Sequence, residues 1–225
     1  MKGKLIVIEG TDCSGKETQT KLLMEKLNKI GIRCERFSFP CYDTPTGKII
    51  GGPYLGKSYI CESWFKEGAI NVDPKVISLY YAADRKYNIK PIIELLENGV
   101  NVILDRYVYS NMAHQASKIK NKEERYEMYK WLEKLEFEFL ELPKLDIGIF
   151  LHMPLEVSKI LKDGREEKLE EHEKQSDYLK DSENAYIEVS DLYGFKTIEC
   201  NDGKNPRTIE KINEELYNYV ISKVK

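Results

Sequence analysis

The stretch LIVIEGTDCSGKETQ, residues 5 to 19, concentrates residues that could handle phosphate. Gly10, Gly15 and Lys16 stand at the spacing G-x-x-x-x-G-K of a phosphate-binding loop. Gly10 lets the backbone turn sharply and Gly15 lets it approach an anion closely. Successive N–H groups and the N-terminus of a following helix then face the phosphate oxygens. Lys16 adds a point charge between β- and γ-phosphates. The next position normally carries the Ser or Thr hydroxyl that ligates Mg²⁺, and here it is Glu17. A glutamate keeps its backbone N–H and can hold Mg²⁺ by its carboxylate, directly or through water. Thr18, about 100° further round the helix, offers a hydroxyl instead. A loop that no longer supports turnover is the third reading. Gly10, Thr11, Asp12, Cys13, Ser14, Gly15, Lys16, Glu17 and Thr18 are therefore the candidate ATP site, with Glu17 or Thr18 as the candidate Mg²⁺ partner.

A second cluster follows the apolar run ending at Asp105: LDRYVYSNMAHQ. In an open parallel sheet, ligands sit beyond the carboxyl ends of the strands. Asp105 and Arg106 are then expected in the same crevice as the loop. The planar fork of Arg106 suits a phosphate, although an Asp-Arg pair serves equally well as a structural ion pair.

Positioning these groups requires a strand before each and a helix behind the loop. KLIVIEG is a continuous apolar run of the kind buried on both faces of a sheet. KETQTKLLMEKLNKIG places Leu22, Leu23, Leu27 and Ile30 at helical spacing and stops at Gly31. RCERFSF alternates as a second strand, and residues 40–53 read as a Gly/Pro/Thr-rich loop. A helix is expected over residues 73–99, opened by Asp73-Pro74 and bent or split at Pro91. VNVILDRY, KLDIGIFLHM and KTIEC supply strands three to five. A long amphipathic helix ends before Pro143, another covers PLEVSKILKDG, another SENAYIEVSDLYG, and a last one closes the chain. Strands alternating with helices imply an α/β fold with a mostly parallel sheet covered on both faces.

Composition excludes several classes. The 225 residues carry a formal net charge of -3, which gives no global basic field for nucleic acid. No window reaches the roughly 18 apolar residues of a membrane span, and the N-terminal apolar run lacks a cleavage site. The five cysteines are scattered without metal-ligand spacing, which suits free thiols in the cytoplasm.

Four features taken together resemble the thymidylate kinase family: GTDCSGKE, Phe39-Pro40, LYYAADR and LDRYVYSNMAHQ, in family order across essentially the whole chain. The resemblance implies a single domain, residues 1–225, with a P-loop NTPase-type three-layer fold. It implies a five-stranded parallel sheet and a helical lid at about residues 162–180. It implies phosphoryl transfer from ATP to a nucleoside monophosphate, dTMP to dTDP above others, with Mg²⁺. By the same resemblance Asp12 is the acidic loop residue near the acceptor, and Phe39 and Pro40 wall the monophosphate pocket. Tyr81 stacks on the pyrimidine, Arg85 reaches a base carbonyl, and Arg106 binds the acceptor phosphate, with Asp105 beside it among the substrate-binding residues. Ser110, Asn111 and Gln115 line base and sugar. Lys162, Arg165 and Lys168 belong to the lid, and Arg165, its only arginine, stands in for the cation missing after Asp12, where Cys13 lies. The catalytic set is thus Asp12, Lys16, Arg106 and Arg165.

Two departures stand beside Glu17. The family usually carries arginine just after Phe-Pro, whereas this chain has Cys41-Tyr42, so either Arg106 acts with a different partner or Tyr42 donates a hydroxyl hydrogen bond. An aromatic residue is usual before Gln115, and here it is His114, which bears on both sugar and base preference. A related kinase with a different nucleoside or nucleotide acceptor, and a nucleotide-binding module with weak turnover, are the alternatives. The family pairs through helices, and the apolar residues of YEMYKWLEKLEFEFL suit either a homodimer or the core.

Overall fold

The computed structural model describes residues 2–162 and 176–224. Its five strands, among the described residues, form one sheet in the order β2-β3-β1-β4-β5, every neighbouring pair parallel. They are β1 (Leu5–Gly10), β2 (Cys34–Ser38), β3 (Asn101–Asp105), β4 (Ile147–His152) and β5 (Lys196–Glu199). The helices that join them are α1 (Lys16–Lys29), α2 (Pro45–Ile49), α3 (Pro74–Asn88), α4 (Lys90–Glu97), α5 (Val108–Ala116), α6 (Lys122–Glu133), α7 (Leu155–Lys162), α8 (Ser176–Leu192) and α9 (Ile209–Val224).

All six residues of β1 are buried, as a central parallel strand covered on both faces requires. Alternation sends Leu5 and Val7 to one face and Ile6 and Ile8 to the other. The first pair packs with Ile92 and Leu96 of α4, Met112 of α5 and Met128 and Leu132 of α6. The second packs with Leu23 and Leu27 of α1 and Ile212, Leu216 and Val220 of α9. Both faces are therefore sealed, and polar chemistry is confined to the carboxyl end of the sheet.

The expected helix over residues 73–99 is split as Pro91 demands. α3 ends at Asn88, and Pro91 lies in the first turn of α4, where its missing N–H costs nothing. Residues 40–53 are not the loop expected. Thr44 caps α2 by accepting from Gly47 N, Pro45 opens it, and a wider π-type turn continues through Ile50–Tyr54. The Thr-Pro pair that reads as a turn is here a helix start. Helix α8 begins at Ser176, six residues before the Ser182 start expected, because Tyr178 and Ser182 extend the buried spacing of Ala185, Tyr186 and Val189. The sequence reading gives no element to residues 108–116, where Ser110, Asn111, His114 and Gln115 interrupt the apolar periodicity; they form α5. The expected lid, with Arg165 and Lys168, lies largely outside the described residues; Lys162 is the last residue of α7.

Candidate active site

The loop after β1 and the segment after β3 emerge side by side, because β1 and β3 are adjacent parallel strands. Gly15 has φ +75° and is the N-cap of α1 without a side-chain cap, so the first N–H groups of α1 point out of the loop. A Cβ on Gly10 would lie 2.6 Å from Leu151 O and from Ser14 Oγ, which leaves only glycine. Thr11 Oγ1 donates to Met153 O at 2.8 Å and ties the loop to the end of β4. Lys16 is buried rather than exposed. Its Nζ donates to Gly10 O (3.0 Å), Thr11 O (2.8 Å) and Ser14 Oγ (3.3 Å). Burial, helped by Arg106 and opposed by Asp12, Asp105 and Glu9, pushes its pKa down to about 8.

Arg106 crosses from β3 to the loop. It adopts φ +66°, and Cys13 adopts φ +60°, sparsely populated conformations for residues with a Cβ. Arg106 Nη2 donates to Asp12 Oδ1 at 2.9 Å, and Nη1 donates to Tyr186 Oη at 2.9 Å. Burial alone would raise the Asp12 carboxyl, but the Arg106 guanidinium, by charge and by hydrogen bond, and the Lys16 ammonium outweigh it and hold it well below the usual carboxylate range. Beneath them the buried Glu9 accepts from Tyr107 N (2.8 Å), Ser110 N (3.0 Å) and Ser110 Oγ. Burial raises the Glu9 carboxyl in spite of these bonds. Glu9 thus fixes the turn that aims Arg106.

A cavity of about 410 Å³ opens beside Arg106. Its walls bring together Asp12, Glu17, Phe39, Pro40, Tyr42, Tyr81, Arg85, Asp105, Arg106, Ser110, Asn111 and Gln115. Thr18 is exposed on α1 and is not part of that lining. Phe39-Pro40 is a cis peptide. The loop behind it hangs on Asp84, which accepts from Cys41 N (2.9 Å), Thr46 Oγ1 (2.8 Å) and Asn88 Nδ2 (2.9 Å). Tyr81 meets Tyr54 edge-on, with ring centres 6.2 Å apart. Arg85 is fully buried and donates from Nε (2.9 Å) and Nη2 to the two oxygens of Glu136, itself fully buried. Asn111 Nδ2 and Oδ1 and Gln115 Oε1 are buried and have no hydrogen-bond partner among the described residues. Buried amides left in this way around a cavity are suited to a polar ligand.

Several contributors escape the sequence reading. Arg36 on β2 lines the cavity, donating from Nε to Thr20 Oγ1 (2.6 Å) and from Nη2 to Asp105 Oδ2 (2.8 Å). Lys57 lies 4.7 Å over the Tyr42 ring. Tyr178 and Tyr186 close the α8 side, and Glu136 comes from the turn after α6. A lone arginine in an alternating strand and tyrosines on an amphipathic helix carry no local signal.

One hard oxygen donor, the Glu17 carboxylate, is available for a magnesium ion. Glu17 lines the cavity, and Lys21 at 2.6 Å, by hydrogen bond and charge, keeps its carboxyl ionised by lowering its pKa. Among the described residues no three His, Cys, Asp or Glu side chains converge as a metal cage. One carboxylate fits an ion carried mainly by phosphates and water.

A glycine-rich loop on the central strand of a parallel sheet, a buried lysine, and an arginine shared between that loop and a polar cavity define a nucleotide kinase of the P-loop NTPase fold. The thymidylate kinase family profile matches residues 8–215, and the chain belongs to that family. It is 34% identical over 179 residues to the thymidylate kinase of Schizosaccharomyces pombe, covering 80% of this chain and 75% of that protein. To the human thymidylate kinase it is 32% identical over 154 residues, 68% of this chain and 63% of that one. The solved thymidylate kinase of Candida albicans superposes with a TM-score of 0.71 at 26% identity, covering 98% of this chain and 92% of that one. No helix among the described residues is long and apolar enough to cross a membrane.

Proposed function

We propose that the chain transfers the γ-phosphoryl group of ATP to dTMP, giving dTDP and ADP, with residues 1–225 acting as one catalytic unit. The observation that carries this reading is the position of Arg106, bonded to loop residue Asp12 while lining the cavity. A group in contact with both halves is placed to stabilise charge on a phosphoryl in transit between them. An acceptor phosphate oxygen attacks the γ-phosphorus in line, and the β–γ bridging oxygen leaves with ADP. No covalent enzyme intermediate is needed. Loop N–H groups and Lys16 hold the ATP phosphates, and Arg106 holds the acceptor phosphate and the transferring group. Arg165 is assigned the same charge on sequence grounds alone. Mg²⁺ would supply charge neutralisation on the ATP phosphates, and Glu17 is the residue that would hold it.

In the cavity, Tyr81 offers its face to the base, while Phe39, Pro40 and Tyr42 wall the phosphate end. Glu136 occupies Nε and Nη2 of Arg85, so Nη1 is left to donate to a base carbonyl. The amide of Asn111 and the amide oxygen of Gln115, unpartnered among the described residues, line the base and sugar end together with Ser110. Arg36 and Asp105 form one further charged wall.

The reading extends to a homodimer in the cytoplasm. An apolar groove lined by Leu79, Ala83, Tyr87, Leu135 and Leu140 supports the dimer, and sedimentation velocity tests it. None of the five cysteines is in a disulfide among the described residues, as a reducing compartment permits. Coupled measurement of ADP release with a panel of nucleoside monophosphates tests the acceptor. The highest kcat/KM should fall to dTMP, and a higher value for a purine monophosphate rejects the pocket assignment.

A further inference from the structure

His114 sits half-buried on α5, where the acceptor cavity meets α8. Its Nε2 lies 3.2 Å from Arg106 Nη1, and its Nδ1 lies 3.0 Å from Tyr178 Oη and 3.3 Å from Ser182 Oγ. A guanidinium can only donate. Nε2 must therefore accept, and the ring is neutral with its proton on Nδ1. The other side of the ring agrees. Tyr178 Oη is 3.4 Å from the backbone carbonyl of His114, so the hydroxyl donates there and its oxygen can accept from Nδ1. The Tyr178 ring lies nearly parallel to the imidazole (19°), and the Tyr186 ring stands edge-on to it (86°). Both χ freedom and tautomer are thereby restricted.

We propose that His114, as the neutral Nδ1–H tautomer, is a positioning residue that holds the Arg106 guanidinium in register with the acceptor phosphate and ties it to α8. Arg106 Nη1 carries two hydrogens, and its nearest acceptors are Tyr186 Oη at 2.9 Å and His114 Nε2 at 3.2 Å. These fix one edge of the fork, while Nη2 is directed at Asp12. Without the imidazole acceptor Nη1 keeps Tyr186 Oη and the longer contact to Ser110 Oγ at 3.4 Å, so the plane of the fork is less sharply held against rotation about its link to Asp12. Arg106 would remain buried and charged but would lose its aim at a bound phosphate.

This inference rests on the phosphoryl-transfer reading, and its test separates the two. Long-range ¹H–¹⁵N correlation on histidine-labelled protein, with His114 identified by its loss in His114→Gln, should show the neutral Nδ1–H pattern at neutral pH. An Nε2–H or doubly protonated ring overturns the proposal whatever the enzyme's activity. In steady-state kinetics, His114→Phe keeps ring shape but removes the acceptor, and should lower kcat/KM for dTMP by about 10–100-fold. KM for ATP should be unchanged. His114→Gln restores an amide oxygen that accepts from Arg106 and should recover most of the loss. Equal rates for all three proteins, or equal damage from Phe and Gln, overturns the positioning role. Tyr178→Phe guards against a misfolded His114→Phe: it leaves Nε2 in place and should give a smaller loss in the same direction, and no loss counts against the tie to α8. Absence of dTMP-dependent turnover in the unmodified protein would refute the functional reading and leave the tautomer result standing.

Discussion

The phosphate loop and the acceptor cavity are adjacent, yet they are built in opposite ways. The loop is nine consecutive residues, and it works mainly through backbone N–H groups whose direction Gly10 and Gly15 set. The cavity is a collection of side chains from β2, α3, β3, α5, α8 and the turn after α6. Its arginines are aimed by partners distant in sequence: Glu136 is 51 positions from Arg85, Asp105 is 69 from Arg36, and Tyr186 is 80 from Arg106. Damage to the loop should therefore appear in catalysis and ATP binding with local consequences. Damage to the cavity should couple acceptor recognition to folding.

The sharpest contrast comes from Glu136→Gln. It leaves the buried Arg85 charge without its counter-ion and should cost about 3–5 kcal/mol of stability. Urea unfolding reads this directly, and an unchanged midpoint would show that Arg85 finds another partner. Lys16→Ala should instead slow transfer by at least ~10²-fold, the scale of losing one preorganised electrostatic group. Because Lys16 is bonded to its own loop, some of that loss is loop order. Near-normal kcat in folded protein would remove Lys16 from the site. The depressed pKa of Lys16 adds a pH signature. Below about 8 the free protein carries the charge; above it the charge is lost, so ATP affinity should fall as pH rises through that value. A flat affinity from pH 7 to 9 would contradict it.

Tyr81→Ala belongs to the cavity side, and should weaken dTMP binding by roughly 1–3 kcal/mol, the value of a base-stacking aromatic. Calorimetric titration should find the ATP analogue nearly unaffected; equal weakening of both ligands would make Tyr81 a packing residue for Tyr54. The smallest effect is expected at Glu17. Its pair with Lys21 is exposed, so the carboxylate exchanges partners at little cost. Glu17→Gln should raise the Mg²⁺ concentration for half-maximal rate, and Thr18→Val should leave it alone. The reverse pattern would transfer the metal contact to Thr18.

The same contrast decides what was legible in the sequence. The loop could be read because its residues are contiguous and its backbone geometry is written in two glycines. β1 could be read because burial on both faces demands an unbroken apolar run. Asp105-Arg106 could be placed because it ends a strand of a parallel sheet. Arg36 could not, since nothing local distinguishes an arginine that meets Asp105 from one that meets water. Glu136 reads as one of many charges on a surface helix, although it is fully buried. The short helix α2 was hidden because Thr44-Pro45 serves turns and helix starts alike. His114 stood out in sequence as a departure, but its contacts with Arg106 and Tyr178 depend on the packing of α5 against α8.

The central claim is that both halves serve one transfer, and tracing the γ-phosphorus tests it most directly. Purified protein given γ-³²P-ATP, Mg²⁺ and dTMP should form dTDP and ADP one for one, with the label in the β-phosphate of dTDP. Release of the label as inorganic phosphate, or ADP formation independent of dTMP, would contradict the account.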